Sequence, residues 1–133
     1  MARIEWAALC DLAFFDRQDR LCIIGMFRQL PVPSLPLALS QVMLVAKLTD
    51  IRPVEELSIS IGVVAPSGRS PAPSRSDGIV IEMAREYVLA TLRDVPIFEE
   101  GVYRFQIALG GQALVSVDLP ALTVARPSLA EVH

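Results

Sequence analysis

Histidine is almost missing from this 133-residue chain: the one histidine, His133, is the last residue. A terminal side chain is ordinarily frayed. A Ser-His or Cys-His nucleophile pair, a histidine-rich metal site and an imidazole proton shuttle are therefore excluded. Lysine is nearly absent too, with Lys47 against eleven arginines. The formal net charge is −3, so no basic excess is available to displace the counterions of a nucleic acid. Glycines number seven and form neither a Walker loop nor a G-x-G-x-x-G turn. Two cysteines, Cys10 and Cys22, are too few for a zinc site. Long apolar runs are also missing, and Glu5 and Asp11 interrupt the N-terminal stretch. The sequence thus predicts neither a membrane span nor a secretory leader.

What is present is apolar. Hydrophobic residues make up 53% of the chain and mean hydropathy is +0.47, which excludes disorder. The length suits one domain, expected over residues 1–126, with a loose tail at 127–133. Most of the chain alternates at period two or runs apolar in short bursts bounded by turn residues. Strands are expected over 4–15, 21–29, 41–49 and 57–65, with a proline-rich crossing at 30–39 and a mobile polar loop at 66–78. Residues 79–95 read as two strands broken near Arg85-Glu86, with a single helix as the alternative.

The clearest pattern is GVYRFQIAL at 101–109, with Tyr103, Phe105, Ile107 and Leu109 inward and Arg104 and Gln106 outward. Burial sets register. Pairing apolar with apolar places Ile107 opposite Val115 and Phe105 opposite Val117, through a longer loop or a bulge. Pro120 is expected to break the last strand, which resumes at 121–125.

Residues 16–20 read as a turn. A hairpin centred on Gln18 sets Cys10 opposite Met26 and Cys22 opposite Phe14. The two sulfurs then lie ~13 Å apart at strand rise, beyond disulfide reach. Both thiols are expected to be reduced and buried, and the compartment cytoplasmic.

Glu99-x-Gly101-x-Tyr103-x-Phe105 has the spacing of the immunoglobulin-type D-x-G-x-Y-x-C segment, whose tyrosine hydroxyl bonds to nearby backbone. Glu replaces Asp and Phe replaces Cys, so the inter-sheet disulfide of that segment is absent. The fold expected is all-β: an Ig-like antiparallel β-sandwich of about seven to nine strands.

Further stretches resemble a family of small bacterial proteins catalogued as a domain of unknown function. They are Ala8 to Asp11; the Leu21, Ile23, Gly25, Phe27 alternation; the Pro31–Pro36 crossing; and Gly101, Tyr103, Phe105, Gly111, Pro120, Leu122 and Val124. These residues build a fold. The resemblance implies an Ig-like sandwich and supplies no catalytic residue or cofactor.

Candidate sites are sparse. The pairs Glu55-Glu56 and Glu99-Glu100, and the hairpin aspartates Asp11, Asp16 and Asp19, read as solvated turn residues rather than acid–base or calcium groups. Arg69 and Arg75 are candidate loop contacts for a phosphate or an acidic partner. Pro33 to Pro36 fits P-x-x-P but reads as a crossing. The stronger signal is a surplus. A two-layer sandwich needs one apolar face per strand, yet 21–27, 42–48 and 113–119 are apolar on both. In 42–48, Val42, Leu44, Ala46 and Leu48 share one face, and Met43 and Val45 the other. The expected function is therefore non-catalytic association, as a homo-oligomer or as a subunit of a bacterial complex. Val42, Leu44 and Leu114 are the candidate interface, with Arg104 at a rim. No cofactor, metal, nucleic acid or membrane is expected. The alternative is a small-molecule or carbohydrate binding module, for which eight aromatics leave little stacking surface.

Overall fold

A computed structural model describes residues 2–51, 58–70, 79–110 and 113–123, with side chains undescribed at 113–114. Among these residues every regular element is a strand. They are β1 (Arg3–Phe15), β2 (Leu21–Met26), β3 (Leu30–Val32), β4 (Leu37–Thr49), β5 (Ile59–Val64), β6 (Ile79–Ala84), β7 (Tyr87–Ile97), β8 (Gly101–Leu109) and β9 (Ala113–Thr123). Two sheets form an Ig-like sandwich. One has the order β2-β1-β4-β7-β6 and the other β3-β9-β8-β5. Pairing is antiparallel except between β3 and β9, which run parallel. Among the described residues no helix is long and apolar enough to cross a membrane.

Periodicity explains the core. Tyr103, Phe105, Ile107 and Leu109 alternate inward from β8 and meet Val42, Leu44, Ala46 and Leu48 of β4 and Val88, Ala90 and Leu92 of β7. β8 and β9 pair with Ile107 opposite Val115 and Phe105 opposite Val117, the register that burial predicts. Residues 79–95 resolve into β6 and β7 around Arg85-Glu86, where Arg85 takes φ +55°.

One expectation needs correction. β9 runs unbroken through Pro120, which pairs with Val102. Proline is tolerated where its missing N–H faces no partner, and β3 reaches β9 only from Ala121 onward. Of the polar stretch 66–78, residues 66–70 form no strand, and 71–78 lie outside the described residues. Residues 66–69 form a turn closed by the Ala65 N–H donating to the Arg69 carbonyl (2.7 Å), and this turn docks on the β7–β8 corner. There Ser67 N–H donates to Glu99 Oε1 (2.8 Å) and the Arg69 guanidinium lies 4.4 Å from the Phe98 ring centre. The Tyr103 hydroxyl donates to the Glu99 carbonyl (3.3 Å) and accepts from the Phe98 and Glu99 N–H groups (3.1 and 3.3 Å). This is the tyrosine corner of Ig-like sandwiches. Gly101 adopts φ +128°, and a Cβ there would come within 2.7 Å of Pro66. Only glycine fits both demands.

Candidate interaction surface

The site is built by β1, which does two jobs. Its first half, Arg3 to Cys10, pairs with β4 inside the sheet. Beyond the Cys10–Met43 pair it leaves β4 and pairs only with β2, from Cys10–Met26 to Phe15–Leu21. A bulge between Ile4 and Trp6 resets the alternation. Ile4, Ala7 and Leu9 therefore face the main core, while Trp6 and Cys10 face outward.

The β1–β2 hairpin, residues 11–26, folds back as an arm across the outer face of the five-stranded sheet. Three observations fix this. Phe15 and Trp6 both pack on Tyr87 of β7, with ring centres 6.0 and 6.2 Å apart. Ala13 N–H points at Met43 Sδ (3.2 Å). The arm's tip reaches the β6–β7 turn through an Arg85–Asp19 ion pair (3.1 Å). Under the arm lies a second apolar cluster: Cys10, Ala13, Met43, Val45 and Leu89, closed by Trp6, Phe15, Leu21 and Ile23.

Antiparallel partners share a face. Ala13–Ile23 and Phe15–Leu21 therefore face the sheet, and Leu12–Ile24 and Phe14–Cys22 face away. The away face is apolar and bare: Leu12 is 41% exposed, Phe14 40% and Ile24 52%, and Met26 at the base of the arm is 60% exposed. The surplus read from the sequence is real, but the arm covers it on β4 and re-presents it one layer further out.

The charged tip is tied down. Asp16 accepts from the Gln18 and Arg20 N–H groups (2.9 Å each) and from Arg20 Nε (2.8 Å). The Arg20 and Gln18 backbone donors hold its carboxyl below the ordinary value. Glu100 is likewise lowered, by the Thr123 side chain and by the bond from Thr123 N–H (2.7 Å). Burial and the neighbouring Asp11 charge raise the Cys10 thiol. Both cysteines are free, Cys10 buried and Cys22 half-buried, where burial of both was expected.

The predicted interface residues fare differently. Val42 and Leu44 are 1% and 0% exposed in the main core, so neither presents to a partner. They share the inner face of β4, and the outer face carries Met43 and Val45. Leu114 pairs with Ala108 in β9, and its side chain lies outside the described residues, as do Arg75, Glu55, Glu56 and the tail at 127–133. Arg104 is exposed on β8, opposite Asp118, in the other sheet. It borders nothing on the arm. Arg69 is held against Phe98. Sequence reasoning missed Leu12, Phe14, Ile24 and Met26. The signal that pointed to Ile24 and Met26 was the apolar run of 21–27, interrupted only by Gly25, which a hairpin in a two-layer sandwich does not need.

No curated protein matches the chain. Among solved structures it is similar to the M1 domain from titin, with TM-score 0.34 and 13% identity over 63% of this chain and 78% of that one. A family described as "Family of unknown function (DUF6941)" matches residues 5–122.

Proposed function

This chain belongs, over residues 5–122, to that family of unknown function, and from that premise we propose that it is a non-catalytic association module that pairs with a second copy through the outer face of its β1–β2 arm. The observation that carries the reading is the bare apolar face of Leu12, Phe14, Ile24 and Met26. At ~200 Å² for a large side chain, about half of it exposed, the four offer on the order of 400 Å². A standard interface buries about 800 Å² per partner, a little over half of it apolar. The arm thus supplies most of the apolar centre of one such interface. Its rim carries both signs, in Asp16, Arg17, Asp19 and Arg20. An isologous contact requires a self-complementary surface, and a mixed rim around an apolar centre meets that need. Two unpaired thiols fit a reducing compartment such as a bacterial cytoplasm.

The alternative of a small-molecule or carbohydrate module finds less support. Trp6, Phe15 and Tyr87 pack on one another beneath the arm, and Tyr103 and Phe105 lie in the core.

Sedimentation velocity across micromolar to millimolar concentration tests the proposal. The wild type is expected to dimerise, and Ile24→Asp to stay monomeric with an unchanged melting temperature. Leu44→Asp, which charges the core, is expected to unfold the chain. A wild type that is monomeric throughout overturns the proposal.

A further inference from the structure

A second feature lies at the elbow where the arm leaves the sheet. β1 stops pairing with β4 at Met43, and β4 continues on its N-terminal side from Val42 back to Leu37 with β7 on one edge only. Among the described residues no strand lies beside the opposite edge of Leu37 to Gln41. An unpaired edge presents N–H and C=O groups ready to bond another extended chain.

That edge opens into a notch of about 290 Å³. Its walls include Leu39, Phe27, Leu30 and Pro31, which are apolar, and Gln41 and Asp11, which are polar. The elbow is shaped by Gly25, at φ +71°, where a Cβ would come within 2.5 Å of Asp11 Oδ2. Gly25 thus lets the Asp11 carboxylate lie against the backbone of β2. Gln41 Nε2 donates to the Asp11 carbonyl (3.4 Å) and braces the elbow from β4. The four ion pairs among the described residues join Arg3 to Asp50, Arg20 to Asp16, Lys47 to Glu5 and Arg85 to Asp19. None of them engages Asp11, so among the described residues its carboxylate in the notch has no countercharge.

From the free β4 edge, the apolar walls and this lone carboxylate, we infer that the notch binds an extended peptide segment that adds as a strand beside Leu37–Gln41 and sets a lysine or arginine against Asp11. Main-chain bonds supply affinity in such strand addition, and side-chain pockets supply specificity. Apolar side chains of the added strand fit against Leu39, Phe27 and Leu30, and its cation satisfies Asp11. Two of the outer strands suit this less well. β3 is three residues long and contains Pro31, and β2 is kinked at Gly25.

The inference goes beyond the arm-mediated pairing and does not rest on it. Nitrogen-15 heteronuclear correlation spectra of the full chain test it, with the heptapeptide Thr-Val-Thr-Lys-Thr-Val-Thr, capped at both ends, as probe. Spectra are taken on the wild type and on Ile24→Asp, whose altered residue does not line the notch. Saturable shifts at Leu37–Gln41 and Gly25 are expected in both proteins. Asp11→Asn is expected to weaken binding about fivefold, the worth of a ~1 kcal/mol ion pair. A glutamate-centred peptide is expected not to saturate. Of two peptides N-methylated at alternate residues, one is expected to fail. The inference is overturned if the lysine peptide causes no saturable shift, if both N-methylated peptides bind as well as the parent, or if free lysine amide binds equally well. It is also overturned if the shifts fall on β6 instead.

Discussion

Single residues decide whether the corner and the tip hold. The Tyr103 hydroxyl serves two N–H groups and a carbonyl at the β7–β8 corner while its ring is fully buried. Tyr103→Phe keeps the ring and leaves these backbone groups without their partner. The variant is expected to lose about 1–3 kcal/mol in urea unfolding, the usual cost of unmade bonds to part-buried groups. Asp16 answers to pH. Its carboxyl sits below the ordinary value because the Arg20 and Gln18 backbone donors favour the charged form. A depressed folded value means the contribution is present above the unfolded value of ~3.9 and is lost as pH falls through the lowered one. Carbon-detected NMR titration is expected to show Asp16 protonating at lower pH than an unperturbed aspartate. Loss of the Gln18 and Arg20 amide shifts is expected in the same window.

The arm is the element on which the account turns. Its inner residues, Ala13, Phe15, Leu21 and Ile23, close the cluster over Met43, Val45 and Leu89. Its tip contact, Arg85–Asp19, is exposed, and exposed pairs contribute ~1 kcal/mol or less. Apolar packing therefore holds the arm down, and salt does not. Phe15→Ala is expected to raise amide exchange across residues 11–26 while leaving β8 and β9 protected; Asp19→Asn is expected to change exchange little. Exchange in Phe15→Ala that rises equally in β8 would show instead that arm and sandwich form one cooperative unit.

Much of this element was legible in the sequence. The Cys10–Met26 and Phe14–Cys22 pairings follow from a turn centred on Gln18. The inward set of β8 and the split of 79–95 follow from period-two alternation and burial. The second apolar face of β4 was visible as well, in Met43 and Val45. Its cover was not. A hairpin that leaves its sheet after Cys10 and lies across that same sheet is a tertiary event, set by the bulge near Glu5 and the kink at Gly25. Alternation alone predicts a flat ribbon. The apolar face then falls on Val42 and Leu44 when the bare surface belongs to Leu12, Phe14, Ile24 and Met26.

At the scale of the whole molecule, two apolar layers have been stacked on a sandwich that needs one. The main core lies between the sheets, the second cluster lies beneath the arm, and a third apolar face looks outward. Patches of a few hundred Å² on soluble chains commonly mark contacts. The two thiols happen to report on both of the last two layers. Cys10 is buried under the arm, and Cys22 shares the outer face with Phe14. Mass-spectrometric alkylation of the native chain with iodoacetamide, followed site by site as concentration rises from micromolar to millimolar, reads arm closure and pairing together. The account predicts that Cys10 stays protected at every concentration, and that Cys22 reacts readily when dilute and slows as copies pair. Modification of Cys10 as fast as Cys22, or a Cys22 rate that ignores concentration, would contradict it.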